Sequence, residues 1–344
     1  MTGRPAANCS SFYSNSTSVP ICESLPKKVK HDIYVCMANK KVLIGPSSFG
    51  KPDAAPLDLL ASNGLTVVPN PLGRKLTKTE LLQLLPGITG LIAGLEIIDR
   101  EVLTHSDLKV ISRCGAGMSN VDMRAATERG VRVYNTPFGP TRAVAEMTVG
   151  CLLVLMRQAP VMDRALRAGR WDKRVGRQLH GMRVLIVGYG RIGRLVGELL
   201  QPFGVELMVY DPLYTAATAG LPRGVELTTA LPQADVITLH ASGEGCLLGA
   251  AEFGRMKDGV FVLNAARGGL IDESALCQSL DTGKVAGAWL DTFAEEPYAG
   301  RLAAYEQVLL TPHVASYTEE GRRQMELEAV NNLLEGFRAA EEHV

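Results

Sequence analysis

The chain has 344 residues, room for two domains with sizeable cores. Its 36 basic and 36 acidic side chains cancel, so no overall field favours nucleic acid or an anionic membrane surface. Seven cysteines without metal-ligand spacing and without a C-x-x-C argue against a metal centre or a disulfide framework, and for reduced thiols in a cytoplasmic protein.

The first 36 residues are rich in Ser, Asn and Pro and carry no sustained periodicity. We expect residues 1–40 to be an N-terminal extension without a fixed fold. No apolar h-region follows its basic residues, so no signal peptide is expected. Asn8-Cys9-Ser10 and Asn15-Ser16-Thr17 match the glycosylation pattern, which without a secretion signal we ascribe to chance. Met37 directly precedes the first clear strand, and the functional chain is expected to begin near it.

From Lys41 to about Tyr134, short apolar strands alternate with helical patterns. The strands are Val42–Ile44, Thr66–Val68, Gly90–Ala93, Val110–Ser112 and Val131–Tyr134, with helices such as Leu57–Ala61 and Lys78–Leu85 between them. Alternation of this kind predicts a parallel α/β sheet. The loops Gly45–Lys51 and Gly73-Arg74-Lys75 follow strand C-termini, where hydroxyls and cations could hold an anionic tail; solvated loops explain them equally well. In Arg113–Asn120, the glycines around Ala116 expose N–H groups suited to a carboxylate.

Thr141–Arg157 is predicted as a long helix carrying the chain into a second domain, with Val144, Met147, Cys151, Val154 and Leu155 along one face. Its apolar core, Val149–Met156, is too short to span a bilayer and runs into Arg157. Trp171 and the cluster Lys173-Arg174-Arg177 are expected at a solvated surface or a subunit contact.

Val184–Asp211, VLIVGYGRIGRLVGELLQPFGVELMVYD, reads as strand, glycine turn, helix, strand and terminal acid. Gly188 allows the tight turn, Gly190 lets the backbone approach a pyrophosphate, and Gly193 lets the helix pack close to the strand. The helix N-terminus offers unpaired N–H groups and partial positive charge to phosphates. Asp211 can accept from ribose hydroxyls, and would meet a 2′-phosphate with like charge, so the pattern favours NAD over NADP. A glycine turn serving only packing is the alternative.

The chain then repeats one pattern, a buried strand ending on a chemically capable residue. Ala234–Leu239 ends on His240, Val260–Leu263 on Asn264 to Arg267, Val285–Leu290 on Asp291 with Glu296 close behind, and Val308–Leu310 on Thr311-Pro312-His313. Parallel strands bring these residues to one edge of the sheet, beside Gly188 and Asp211. NAD implies hydride transfer, so a second group must move a proton. His313 suits that task because histidine titrates near neutrality. A carboxylate such as Glu296 beside it would favour the imidazolium, ready to protonate a carbonyl oxygen as hydride arrives. Arg267 can hold a carboxylate with two hydrogen bonds and polarise the neighbouring carbonyl. Asp291 could accept from the nicotinamide carboxamide. Each has a structural alternative: a salt bridge between Arg267 and Glu296, a helix cap at Asp291, a hydrogen-bonding histidine. A last amphipathic helix follows, with Leu327, Val330, Leu334 and Phe337 as its stripe and Ser316 with Glu319 as a capping box. It is long enough to fold back on the first domain, and no further regulatory domain is expected after it.

The blocks GYGRIG, NAARGGLIDESAL, GAWLDTFAEEP and LLTPHVAS, with LKVISRCGAGMSNVDMRAATERGVRVYNTPFGPTRAVAE before them, resemble the D-2-hydroxyacid dehydrogenase family, in particular its phosphoglycerate dehydrogenases. The resemblance implies an α/β enzyme of two doubly wound parallel-sheet domains. An NAD-binding Rossmann domain, 141–316, would be inserted in a flavodoxin-like substrate domain, 41–140 with 317–344. The active site would lie in the cleft, and the enzyme would be a homodimer acting on a small 2-hydroxy or 2-oxo acid. It further implies Arg267, Glu296 and His313 as catalytic residues. Arg191 and Ile192 would meet the pyrophosphate, and Asp211, Ala241, Ala265, Ala266, Asp291 and Ser316 would contact other parts of NAD. Ala116 and Gly117 would offer N–H groups to the substrate carboxylate. The chain departs from the pattern at Gly94-Leu95-Glu96, where some of those enzymes present an arginine to phosphate, at Pro140, and in the shortened segment 241–246. An NAD-sensing binding protein, like the transcriptional corepressors that resemble this family, is the second reading.

Overall fold

A computed structural model describes residues 40–214, 222–243 and 245–341. The expectations for residues 1–36, for a start at Met37 and for Glu244 lie outside the described residues.

The first sheet holds β1 (Lys41–Ile44), β2 (Thr66–Pro69), β3 (Gly90–Ala93), β4 (Val110–Arg113) and β5 (Arg132–Asn135). All are parallel, in the order β2-β1-β3-β4-β5, the flavodoxin-like arrangement. The period-two alternation of strand side chains divides the core. Leu43, Leu91 and Ile111 face one way, onto Leu81, Leu85, Val102, Leu103 and Ala125 of the intervening helices. Val42, Ile44, Ile92 and Val110 face the other way, onto the C-terminal helix Glu319–Glu341. That helix presents Met325, Ala329, Val330, Leu333, Leu334 and Phe337, so the chain does return to its first sheet. Its stripe differs from the expected one: Leu327 is only half-buried, and Met325, Ala329 and Leu333 carry the contact instead. Its start is capped by Thr318, whose Oγ1 accepts from the Gly321 amide at 3.0 Å, and not by Ser316. Helix entry two residues later than expected accounts for the difference.

The second sheet holds β6 (Arg183–Val187), β7 (Glu206–Tyr210), β8 (Arg223–Gly224), β9 (Val236–Leu239), β10 (Val260–Asn264), β11 (Val285–Leu290) and β12 (Val308–Leu310). Its order is β12-β11-β10-β9-β6-β7-β8, again all parallel. The order reverses between β6 and β9, which makes the crevice beyond those two strands the topological switch point.

The helix Gly139–Met156 lies on this second sheet. At 18 residues it is long and apolar enough to pass a length-and-hydropathy test for a bilayer span, although Val149–Met156 alone is not. Its apolar face is already occupied: Val144, Ala145, Cys151, Leu152, Leu155 and Met156 share a core with Val184, Ile186, Val196, Leu263 and Trp289. Trp289 is fully buried there, and its indole N–H donates to Thr311 Oγ1 at 3.0 Å.

Candidate active site

The glycine turn leaves β6 at the switch point. Gly188 has φ +92°, in the left-handed half of backbone space that favours glycine, and a Cβ on it would lie 2.4 Å from the Ala241 amide nitrogen. The loops after β6 and β9 therefore touch backbone to backbone. A Cβ on Gly193 would lie 2.1 Å from the Gly188 carbonyl oxygen, so the helix Arg191–Leu200 can seat on the strand only with glycine there. A Cβ on Gly190 would meet nothing within 4 Å, leaving open space before that helix. Backbone N–H groups facing open space at a helix start suit a pyrophosphate. Asp211 fixes the turn, its Oδ2 accepting from the Tyr189 amide at 2.7 Å and its Oδ1 from Leu213 at 2.8 Å. It lines a surface pocket with Tyr214, Thr229 and Arg223. Arg223, at the start of β8, brings a cation to the Asp211 side. The Arg191 guanidinium stacks 4.9 Å from the Phe138 ring centroid.

A cavity of about 230 Å³ lies between the two sheets. From the second unit it is lined by Ile192, Ala265, Arg267, Asp291, His313 and Ser316, and from the first by Ser47, Ser48, Lys75, Glu96, Arg113, Ala116 and Gly117. Of the residues singled out in the sequence, Gly188, Gly190, Arg191, Gly193, Asp211 and Ala241 sit on the glycine-turn side outside this lining, and Glu296 stands behind His313.

Arg267, Asp291 and His313 are each held by their neighbours. Arg267 follows β10 on a turn built by the buried Asn264, whose Oδ1 accepts from the Ala266 amide at 3.0 Å and whose Nδ2 donates to the Arg267 carbonyl at 2.8 Å. Arg267 Nη1 donates to the Ala266 carbonyl at 2.6 Å. A Cβ on Gly117 would lie 1.8 Å from Arg267 Nη2, so the guanidinium rests on the backbone of the Ala116-Gly117 loop. Arginine and loop amides are thus brought to one spot. Burial lowers the Arg267 pKa and Glu296 opposes that, while a guanidinium stays charged regardless.

His313 Nδ1 lies 3.0 Å from Glu296 Oε2, and the two side chains are 34% and 32% exposed. Burial raises the Glu296 carboxyl, but the hydrogen bond and charge of His313 and the Phe293 amide outweigh it and hold the group below its ordinary value. His313 itself has φ +54°, a costly backbone conformation for a residue with a Cβ. The buried Asp291 enforces it. Its Oδ1 accepts from Thr311 Oγ1 at 2.6 Å and from the Val314 amide at 2.9 Å, and its Oδ2 accepts from the Ala315 amide at 2.9 Å. Asp291 therefore staples the loop that carries His313.

His240, by contrast, is kept neutral. Burial pushes its pKa down to about 3, and its Nε2 lies 2.9 Å from Thr238 Oγ1. Arg74 turns away from the cavity into an ion pair with Glu80, leaving Lys75 as the cation of that loop in the lining. Asn264, Thr311 and Arg113 were not singled out in the sequence. The only trace of Asn264 and Thr311 there is their place at the ends of β10 and β12.

Residues 149–315 match the family model for the NAD binding domain of D-isomer specific 2-hydroxyacid dehydrogenases. The rat D-3-phosphoglycerate dehydrogenase is 38% identical over 295 residues, 82% of this chain and 54% of that protein, so the chain spans about half the length of such relatives. The hydroxypyruvate reductase of Thermotoga maritima is 32% identical over 270 residues, 75% of this chain and 88% of that protein. A glyoxylate reductase structure from Paecilomyes thermophila superposes with a TM-score of 0.78 at 28% identity, covering 88% of this chain and 96% of that one. The glycine turn, the arginine–loop contact and the His–Glu pair thus sit within the stretch over which the chain matches these relatives in sequence and fold: it belongs to the D-isomer specific 2-hydroxyacid dehydrogenase family.

Proposed function

We propose that this chain catalyses hydride transfer between NAD(H) and a D-2-hydroxy acid/2-oxo acid pair, with Arg267, Glu296 and His313 as catalytic residues. What carries the reading is the His313–Glu296 pair, 3.0 Å apart, at a cavity that Arg267 and the Ala116-Gly117 loop also line. Gly188, Gly190, Arg191, Ile192, Gly193, Asp211, Ala241, Ala265, Ala266, Asp291 and Ser316 would hold the dinucleotide, which when bound supplies or receives the hydride. Arg267 binds the substrate carboxylate and draws electron density from the adjacent carbonyl. The Ala116 and Gly117 amides meet the same carboxylate. With Nδ1 turned to Glu296, His313 leaves Nε2 for the substrate oxygen. In reduction the imidazolium gives its Nε2 proton to the oxygen as hydride reaches the carbon; in oxidation neutral Nε2 takes the hydroxyl proton. Glu296 stabilises the imidazolium and fixes the ring.

We further propose that 41–140 with 317–344 is the substrate unit and 141–316 the dinucleotide unit, and that the protein is a cytoplasmic homodimer needing neither membrane nor nucleic acid. The dimer is supported by Leu166, Trp171 and Val175, which are 57%, 79% and 93% exposed, the last at an apolar cavity lined by Leu155, Val161 and Leu309. Reading the chain as a binding protein only has no support from the relatives named above, which are dehydrogenases and reductases.

The test is NADH consumption by the purified protein with a panel of 2-oxo acids. Turnover with at least one member is expected; tight NADH binding without turnover on any would favour the sensor.

A further inference from the structure

We propose that the buried Glu96 carboxyl, set beside Arg113 in the cavity wall, selects a 2-oxo acid with an uncharged, hydroxyl-bearing tail over one with a phosphorylated tail. The proposal rests on the reading of the cavity as the substrate site and adds the chemistry of the substrate's far end.

Glu96 occupies a built position. It is 1% exposed, and its Oε1 accepts from the Gly94 amide at 2.8 Å. A Cβ on Gly45 would lie 2.0 Å from that oxygen, so the carboxyl lies flat on backbone that only glycine leaves bare. Asn120 Nδ2 ties the loop by donating to the carbonyls of Glu96 at 2.7 Å and Gly94 at 3.1 Å. Arg113 lines the same wall. Its Nε is buried without a partner among the described residues, and its Nη1 reaches the Cys114 carbonyl at 3.2 Å. Burial raises the Glu96 carboxyl and lowers the Arg113 guanidinium, and the charge of each opposes the shift of the other.

The cavity's other charges are already engaged. Arg267 takes the substrate carboxylate in the proposed reaction. Arg322 is bound to Glu326 at 2.5 Å and to Ser48 at 3.0 Å. Asp291 is committed to the His313 loop. For the tail there remain Arg113 and Lys75 against Glu96, a single net positive charge while Glu96 is ionised. A phosphoryl group carries close to two negative charges near neutral pH and presents only acceptors. Glu96 offers it no donor while ionised, and the second anion would force proton uptake on Glu96. A hydroxyl carries no such cost, because it can accept from Arg113 while donating to Glu96.

The experiment compares kcat/KM for hydroxypyruvate, pyruvate and 3-phosphohydroxypyruvate, with NADH, in the unmutated protein and in Glu96→Gln. The unmutated protein is expected to favour hydroxypyruvate over each of the others by about tenfold or more. In Glu96→Gln the phosphorylated-to-hydroxylated ratio should rise by about tenfold. A preference of the unmutated protein for the phosphorylated acid overturns the proposal without any variant. A ratio unmoved in Glu96→Gln overturns it too, leaving Glu96 a purely structural residue. Turnover with none of these acids or with glyoxylate would instead remove the substrate-site reading, and the tail assignment with it.

Discussion

At the scale of single residues, the catalytic assignments concern groups whose neighbours fix their behaviour. Glu296 is a carboxyl held below its ordinary value in the folded protein. Its contribution to stability is therefore complete above the unfolded value of about 4.3 and is lost as pH falls through the folded value. Thermal unfolding of the unmutated protein and Glu296→Gln should differ at about pH 7 and converge towards about pH 3. An equal gap at both would remove the ion pair as the source of the difference. Residue type and position after a strand made Arg267, Glu296 and His313 legible in the sequence. Glu96 was legible as a departure from the phosphate-binding pattern, but its burial was not, and Asn264 was opaque as a functional part, because both depend on partners that the sequence does not pair. Gly45 lies 51 positions before the carboxyl it accommodates.

At the scale of elements, the strand ends do the positioning. The alternation of short apolar strands with helical patterns was enough to foresee both sheets, since a strand buried on two faces leaves a continuous apolar run. The helix start at Thr318 was missed because Ser316 and Glu319 satisfy the spacing of a capping box equally well, and only the backbone path decides. Asp291, foreseen as a cofactor contact, has a second task that periodicity does not show, since its hydrogen bonds go to the His313 loop. That loop holds His313 at φ +54° through three bonds to one buried carboxylate. Asp291→Asn keeps the shape but offers one acceptor oxygen and brings an unwanted donor. It should destabilise the fold by about 1–3 kcal/mol, measured by denaturant unfolding. It should also lower kcat, since the loop that carries the proton donor is displaced. A variant with the parent's stability and turnover would show that the staple is not needed.

At the scale of the whole molecule, two parallel sheets bring their C-terminal edges to one cavity, and the chain crosses between them twice. The fold class and the linker helix were readable from periodicity, but the cavity itself was not, because the substrate loops could not be oriented from sequence. The exposed Trp171 and Val175 belong at this scale as well. Sedimentation should show a dimer, and Trp171→Glu with Val175→Asp should shift it towards monomer, since a tryptophan at the centre of an interface can contribute about 2 kcal/mol or more and each variant also buries a charge there. A double variant with unchanged dimerisation would place the interface elsewhere.

The central claim is that His313 moves the proton while NAD moves the hydride. The most direct measurement is a pair of assays on His313→Ala: single-turnover NADH oxidation with the best 2-oxo acid of the panel, and NADH binding by fluorescence. The account predicts that oxidation slows by about a hundredfold to ten-thousandfold while NADH affinity is retained. Oxidation at the unmutated rate would contradict it, as would a loss confined to NADH binding.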